Sequence, residues 1–170
     1  MKPSQLQVNR VIFNKVEIEP VYSPFRDDNP ESAIHFENLD ISNFDFDGVC
    51  FNITVDIGIA EGQEDNPIDY FVELKFGIQN LTGKICPYKI NIDVAGIIKA
   101  SQKIPLKVRD NMVIVNGSSV LMGAIREMVT NITGRSVFGA ITLPTANFTD
   151  YAQPETEELN RPDFIGGLFA

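Results

Sequence analysis

Tryptophan is absent from this 170-residue chain, histidine occurs once and cysteine twice. The lone histidine, His35, has no second histidine to build a triad, and no Ser or Cys stands in a nucleophile motif. Cys50 and Cys86 form neither a CxxC pair nor a disulfide framework, so both are expected to be small buried hydrophobes. Glycine-rich phosphate loops, an HExxH pair and Cys/His clusters are missing, which leaves nucleotide and zinc chemistry without an anchor. Asp40, Asp45 and Asp47 resemble calcium ligands only loosely, because the glycine and closing glutamate of an EF-hand loop are not at the required offsets. The expectation is a protein with no catalytic residues, no metal and no cofactor.

Positive charge is scarce as well. Lys and Arg total 14 against 23 Asp and Glu, a net charge of −9. That balance repels a phosphate backbone and argues against nucleic acid as a partner. No run approaches the ~18 consecutive apolar residues of a membrane helix, and no apolar segment follows Lys2 as it would in a secretory signal. A cytoplasmic protein without membrane insertion is expected, in which the N-x-S/T triplets beginning at Asn52, Asn80, Asn116, Asn131 and Asn147 are chance occurrences.

What the chain does have is alternation. Val49, Phe51, Ile53, Val55, Ile57 and Ile59 alternate with polar or small residues, and Ile68, Tyr70, Val72, Leu74, Phe76 and Ile78 repeat the pattern. Tyr88, Ile90, Ile92 and Val94 do the same opposite Lys89, Asn91 and Asp93. In the first run Leu6, Val8, Ile12, Val16 and Ile18 share one phase while Val11 and Phe13 take the other. Period-two patterning with one polar face predicts antiparallel strands, since parallel strands buried on both sides read as continuous apolar runs. EGQEDNP (61–67) and NLTG (80–83) are turn chemistry between neighbouring strands. Residues 20–48, with Pro20, Pro24 and Pro30, read as a long irregular crossover between the first two strands.

After a mixed stretch up to Asn116, a helix is predicted. Ser118 or Ser119 would cap it, Val120, Leu121, Ala124, Ile125, Met128, Val129 and Ile132 recur at helical spacing, and Gly134 ends it. Residues 152–170 form an acidic tail with an apolar end. The predicted fold class is therefore α+β: a four-stranded antiparallel sheet with one main C-terminal helix on one face, in a single domain over 1–151. Four strands ~4.8 Å apart and about 11 residues long offer roughly 700 Å² per face, and a 15-residue helix shadows roughly 220 Å² of it. The uncovered remainder predicts an oligomer, an apolar groove, or both. A small apolar-ligand carrier would suit the same layout. A thioesterase would need Asp, Glu or His where the helix meets the pocket, and only Arg126 and Glu127 are polar there.

VNGSSVLMGAIREMVTNITGRSVFGAITLPTANF (115–148) resembles the SecB-like export-chaperone family. The matching elements are Arg126-Glu127 in the helix and Pro144 with Asn147-Phe148 after it. LQVNRVIFNKVEIE (6–19) resembles the family's first strand, and FVELKFGIQN with KINIDVAGIIKA its third and fourth. The resemblance spans roughly residues 5–151 and implies a homo-oligomer, a dimer or dimer of dimers, without cofactor or catalysis. It implies a holdase that keeps unfolded or partly folded polypeptides in apolar grooves and hands them to the SecA translocase motor. The alternative is a module dedicated to one partner, as in a toxin–antitoxin operon. By the same resemblance the client groove would lie between crossover and helix, with Phe36, Phe44, Phe46, Met122 and Met128 as candidate client-binding residues. Asp56, Asp69, Glu73 and Asp93, on the polar face, are candidates for docking a basic partner. Leu121, Ile125 and Phe148 are expected in the core.

Overall fold

A computed structural model describes residues 4–22, 41 and 43–152. Four strands, β1 (Leu6–Pro20), β2 (Asn52–Ile59), β3 (Asp69–Ile78) and β4 (Tyr88–Ala100), form one antiparallel sheet. Their order is β1-β4-β3-β2, a meander of three strands with the first lying beside the last, as in a Greek key. The link from β1 to β2 therefore carries the chain from one edge of the sheet to the other. Most of that crossover, with His35, and the tail beyond 152 lie outside the described residues.

The alternation sets the faces as expected over β2, β3 and the first half of β4. Tyr70, Val72, Leu74, Phe76 and Ile78 pair in register with Ile98, Gly96, Val94, Ile92 and Ile90, and these side chains are almost wholly buried. β4 runs on to Ala100, six residues past the clean alternation. The first strand is where the simple phase fails. Its register against β4 slips between Val8 and Arg10 and again between Phe13 and Lys15, so Asn9 and Asn14 are extra residues and each slip resets the side-chain phase. Val11, facing Gly96, and Phe13, facing Val94, thereby join Leu6, Val8, Val16 and Ile18 on the inner face, while Ile12, facing Ala95, turns outward.

Helix α1 (Leu106–Thr133) is 28 residues long, nearly twice the expected length. The stretch 106–115, taken as mixed, supplies its first three turns, beginning directly after Pro105 with no side-chain cap. Ser118, expected as the cap, is buried at mid-helix and its hydroxyl has no hydrogen-bond partner. What obscured this start is a buried charge. Arg109 is 3% exposed and gives its N–H groups to the carbonyls of Ile104 and Pro67 and the Asn66 amide oxygen. Beside it, Asp110 accepts the Tyr70 hydroxyl at 2.7 Å. A charged residue inside is tolerable when its hydrogen bonds are met.

The helix lies close on the sheet because glycine faces it. A Cβ on Gly117 would stand 2.5 Å from Ile98 Cδ1 and 3.3 Å from Val72 Cγ2. Leu121 and Ile125 are fully buried, as expected, and so is Phe148 at 1%. By length and composition alone α1 would suffice to cross a membrane, and 44% of its apolar window is buried inside the protein.

Candidate functional site

After α1 the chain turns over 134–138 and returns as an irregular segment up to 152 that includes a single 3-10 turn (Thr149–Tyr151). It is tied down by side chains bonding to backbone. Arg126 Nε donates to Leu143 O at 2.8 Å, Thr130 Oγ1 to Ile141 O at 3.1 Å, and Thr133 Oγ1 accepts from Ile141 N at 3.0 Å. Tyr88 donates to Gly139 O and Tyr151 to Ile53 O. The Asn147 side chain takes the N–H and hydroxyl of Thr149 and so starts the turn. Phe138, Ile141, Leu143 and Phe148 are buried by this arrangement. The Arg126 and Asn147-Phe148 elements thus have a plain structural task, fastening one flank of α1.

Among the described residues the other flank is open. Between α1 and the N-terminal half of β1 runs a groove of about 520 Å³. Leu6 and Val8 of β1, Ile98 of β4, and Met112, Asn116 and Val120 of α1 line it, and among the described residues no charged side chain does. Val8, Val11 and Val16, on the inner face of β1, remain 36–37% exposed, and Val120 46%. β1 pairs only with β4, so its second backbone edge is unpaired among the described strands, a row of free donors and acceptors. The groove offers shape, apolar surface and hydrogen-bonding backbone. Among the described residues that line it there is no titratable side chain.

The predicted client-binding residues do not gather there. Phe36 lies outside the described residues. Phe44 and Phe46 are half-buried and meet edge to face at 5.0 Å, continuing through Phe51 to the buried Phe76 in steps of 5.9 Å. Lys84 Nζ lies 4.9 Å above the Phe44 ring and bonds the Asp45 carbonyl, clamping the pair. This ladder packs the end of the crossover onto the core. Met122 is 3% exposed, a correction to its placement on an open surface. It sits one position past Leu121, toward the flank that the returning segment covers. Met128 is half-buried. The groove residues went unnoticed because 106–116 was not read as helix and the two bulges scrambled β1. The usable signal was Pro105 followed by Val108, Met112 and Val115 at helical spacing.

The carboxylates on the outer face are interleaved with lysines. Asp93 stands between Lys15 and Lys75 across the strands. Lys75 reaches Glu73 at 3.4 Å, and Lys99 reaches Asp69 at 3.9 Å. Asp56, opposite Glu73 in register, is exposed. Cys86 is buried, and burial pushes its thiol above the usual range. Cys50 is exposed, against expectation. No group of three or more His, Cys, Asp or Glu that would suit a metal stands together among the described residues.

The chain is thus a four-stranded antiparallel sheet roofed by one long helix, with a groove along its first strand. No family model and no curated protein matches the chain. Among solved structures it is similar to the SecB-like chaperone Rv1957 of Mycobacterium tuberculosis, solved with a ChAD peptide from the antitoxin HigA1. That match has 15% identity, covers 82% of this chain and 89% of the other, and has a TM-score of 0.47. It is also similar to a protein of unknown function from Streptococcus agalactiae at 12% identity, covering 82% and 96%, with a TM-score of 0.48.

Proposed function

We propose that this protein is an ATP-independent, non-enzymatic polypeptide-binding protein that holds non-native segments in the groove between β1 and α1. One observation carries the reading: apolar side chains of β1 stay in water beside an uncharged groove and an unpaired strand edge. An extended chain satisfies all three at once, its backbone on the strand and alternate side chains in the groove. The resemblance of the sequence to SecB-like chaperones supports the same reading, with action in the cytoplasm as a dimer or dimer of dimers. At about 520 Å³ the groove is no larger than a small-molecule pocket. That size favours a second form of the reading, in which one short segment of a dedicated partner is held rather than long unfolded stretches.

Suppression of aggregation of a denatured client by equimolar protein tests the proposal. Wild type is expected to suppress it, and Val8→Glu or Val120→Glu to fail while keeping wild-type thermal stability, since both positions are exposed. Absence of suppression by wild type would sink the general holdase. Co-purification with one folded partner, lost in the same variants, would then select the dedicated form.

A further inference from the structure

The groove does not end where its apolar lining ends. At the start of β1, Ser4 and Gln5 line both the groove and a second, shallower hollow of about 540 Å³. The hollow is lined by Lys99 and Lys103 and, among the described residues, by no acidic one. Lys99 reaches Asp69 only at 3.9 Å, and Lys103 is exposed and makes no ion pair among the described residues. Behind them stands Arg109, bonded to the carbonyls of Gln102 and Ile104. All its hydrogen bonds go to neutral acceptors, and the buried carboxylate next to it in the chain, Asp110, accepts the Tyr70 hydroxyl. The first turn of α1, three residues beyond Lys103, contains no acidic side chain. In a chain of net charge −9, Lys99 and the exposed Lys103 thus place positive charge at the end of an uncharged apolar groove.

We infer that the composite site takes an extended segment of another protein in which an apolar cluster is flanked by acidic residues, the apolar side chains entering the groove and the carboxylates meeting Lys99 and Lys103. The inference rests on the polypeptide-binding reading and names its ligand class. Strand rise sets the spacing. Ser4 to Val8 covers about 13 Å at ~3.3 Å per residue, so the acidic residues belong three or four positions from the apolar ones. Charge complementarity at such an exposed rim selects between partners more than it adds affinity.

The test uses full-length protein and labelled peptides that share one apolar core, Phe-Ile-Gly-Gly-Leu-Phe, flanked by glutamates, serines or lysines, read by fluorescence anisotropy. The glutamate-flanked peptide is expected to bind about fivefold tighter than the serine-flanked one, an advantage that high salt removes. Lys99→Glu with Lys103→Glu should reverse the preference toward the lysine-flanked peptide, and Val120→Glu should weaken all of them. Equal binding of every peptide, or preference for lysine in wild type, overturns the ligand class while leaving the holdase standing if clients are still protected. Binding of none, with clients still protected, also overturns it. If Val120→Glu changes neither peptide binding nor protection, the groove itself is wrong and both readings fall.

Discussion

On one flank of α1 the segment 135–152 closes the sheet, and Phe138, Ile141, Leu143 and Phe148 are at most 2% exposed. On the other flank the sheet ends in β1, where Val8, Val11 and Val16 keep more than a third of their surface in water. Apolar residues are supplied to both flanks. What differs is whether a piece of chain is fastened over them, and the fastening is polar: Arg126, Thr130 and Thr133 hold the backbone of 141–143, whereas the β1-facing positions of α1, Asn116, Val120 and Gly123, hold nothing comparable. On the proposed reading the exposed apolar strip is a surface kept for a ligand, because the same helix demonstrates how it would be shut.

The widest contrast should appear in Ile141→Ala against Val11→Ala. Deleting the fully buried Ile141 side chain is expected to cost about 3 kcal/mol, and trimming the half-exposed Val11 under about 1 kcal/mol, both measured by urea denaturation. Client protection should run the other way, reduced by Val11→Ala and retained by Ile141→Ala at temperatures where it is folded. Equal stability losses would mean that β1 is as well covered in solution as the closed flank, and the comparison would break.

Gly117→Val probes how tightly the helix is seated. Its Cβ would overlap Ile98 and crowd Val72, so an overpacking cost of about 2 kcal/mol is expected. Because Gly117 also borders the groove, the lifted helix should change peptide affinity too, which a purely internal strain such as that of an enlarged Gly96 would not do to the same extent.

Much of this was legible in the sequence, for reasons that can be assigned residue by residue. Clean alternation from Ile53 to Ile59, from Tyr70 to Ile78 and from Tyr88 to Val94 specified the three-stranded meander, because one-sided burial admits a single phase. Leu121 and Ile125 announced the roofing face of the helix. The misses share a cause, which is local signal overridden by tertiary context. Arg109 and Asp110 look like surface residues until the Asn66, Pro67 and Ile104 acceptors and the Tyr70 hydroxyl are brought to them from distant positions. Asn9 and Asn14 look like ordinary polar positions until the β4 register makes each one surplus. The groove depends on both of these regions, whose local signals mislead, while the aromatic candidates Phe44 and Phe46 lie apart from it, half-buried in the ladder that leads to Phe76.

A smaller effect separates the flanks by pH. Cys86 and Tyr88, at the start of β4, have their pKa values raised, chiefly by burial. For groups raised in the folded state the unfolded chain ionises first, so their contribution is complete below the ordinary thiol and phenol values and is lost as pH climbs through the folded ones. Stability should therefore fall above about pH 9. Tyr88→Phe, lacking the hydroxyl that donates to Gly139 O, should cost about 1 kcal/mol at neutral pH and flatten that alkaline decline. Thiol labelling gives a parallel check: Cys50 should react in the native protein and Cys86 only on opening of the closed flank.

The smallest expected change tests the open flank at its quietest point. Gly123 is exposed in the middle of α1, and a Cβ there would meet nothing within 4 Å. Within one chain, glycine at such a position only loosens the helix, so Gly123→Ala should stabilise by about 0.5–1 kcal/mol. The sign is what matters. A gain means that this turn faces water and that the glycine is incidental. A loss, accompanied by a lower mass in light scattering, means that a second copy approaches α1 too closely for a methyl group, and the exposed surface beside β1 is then divided between a sister subunit and the ligand.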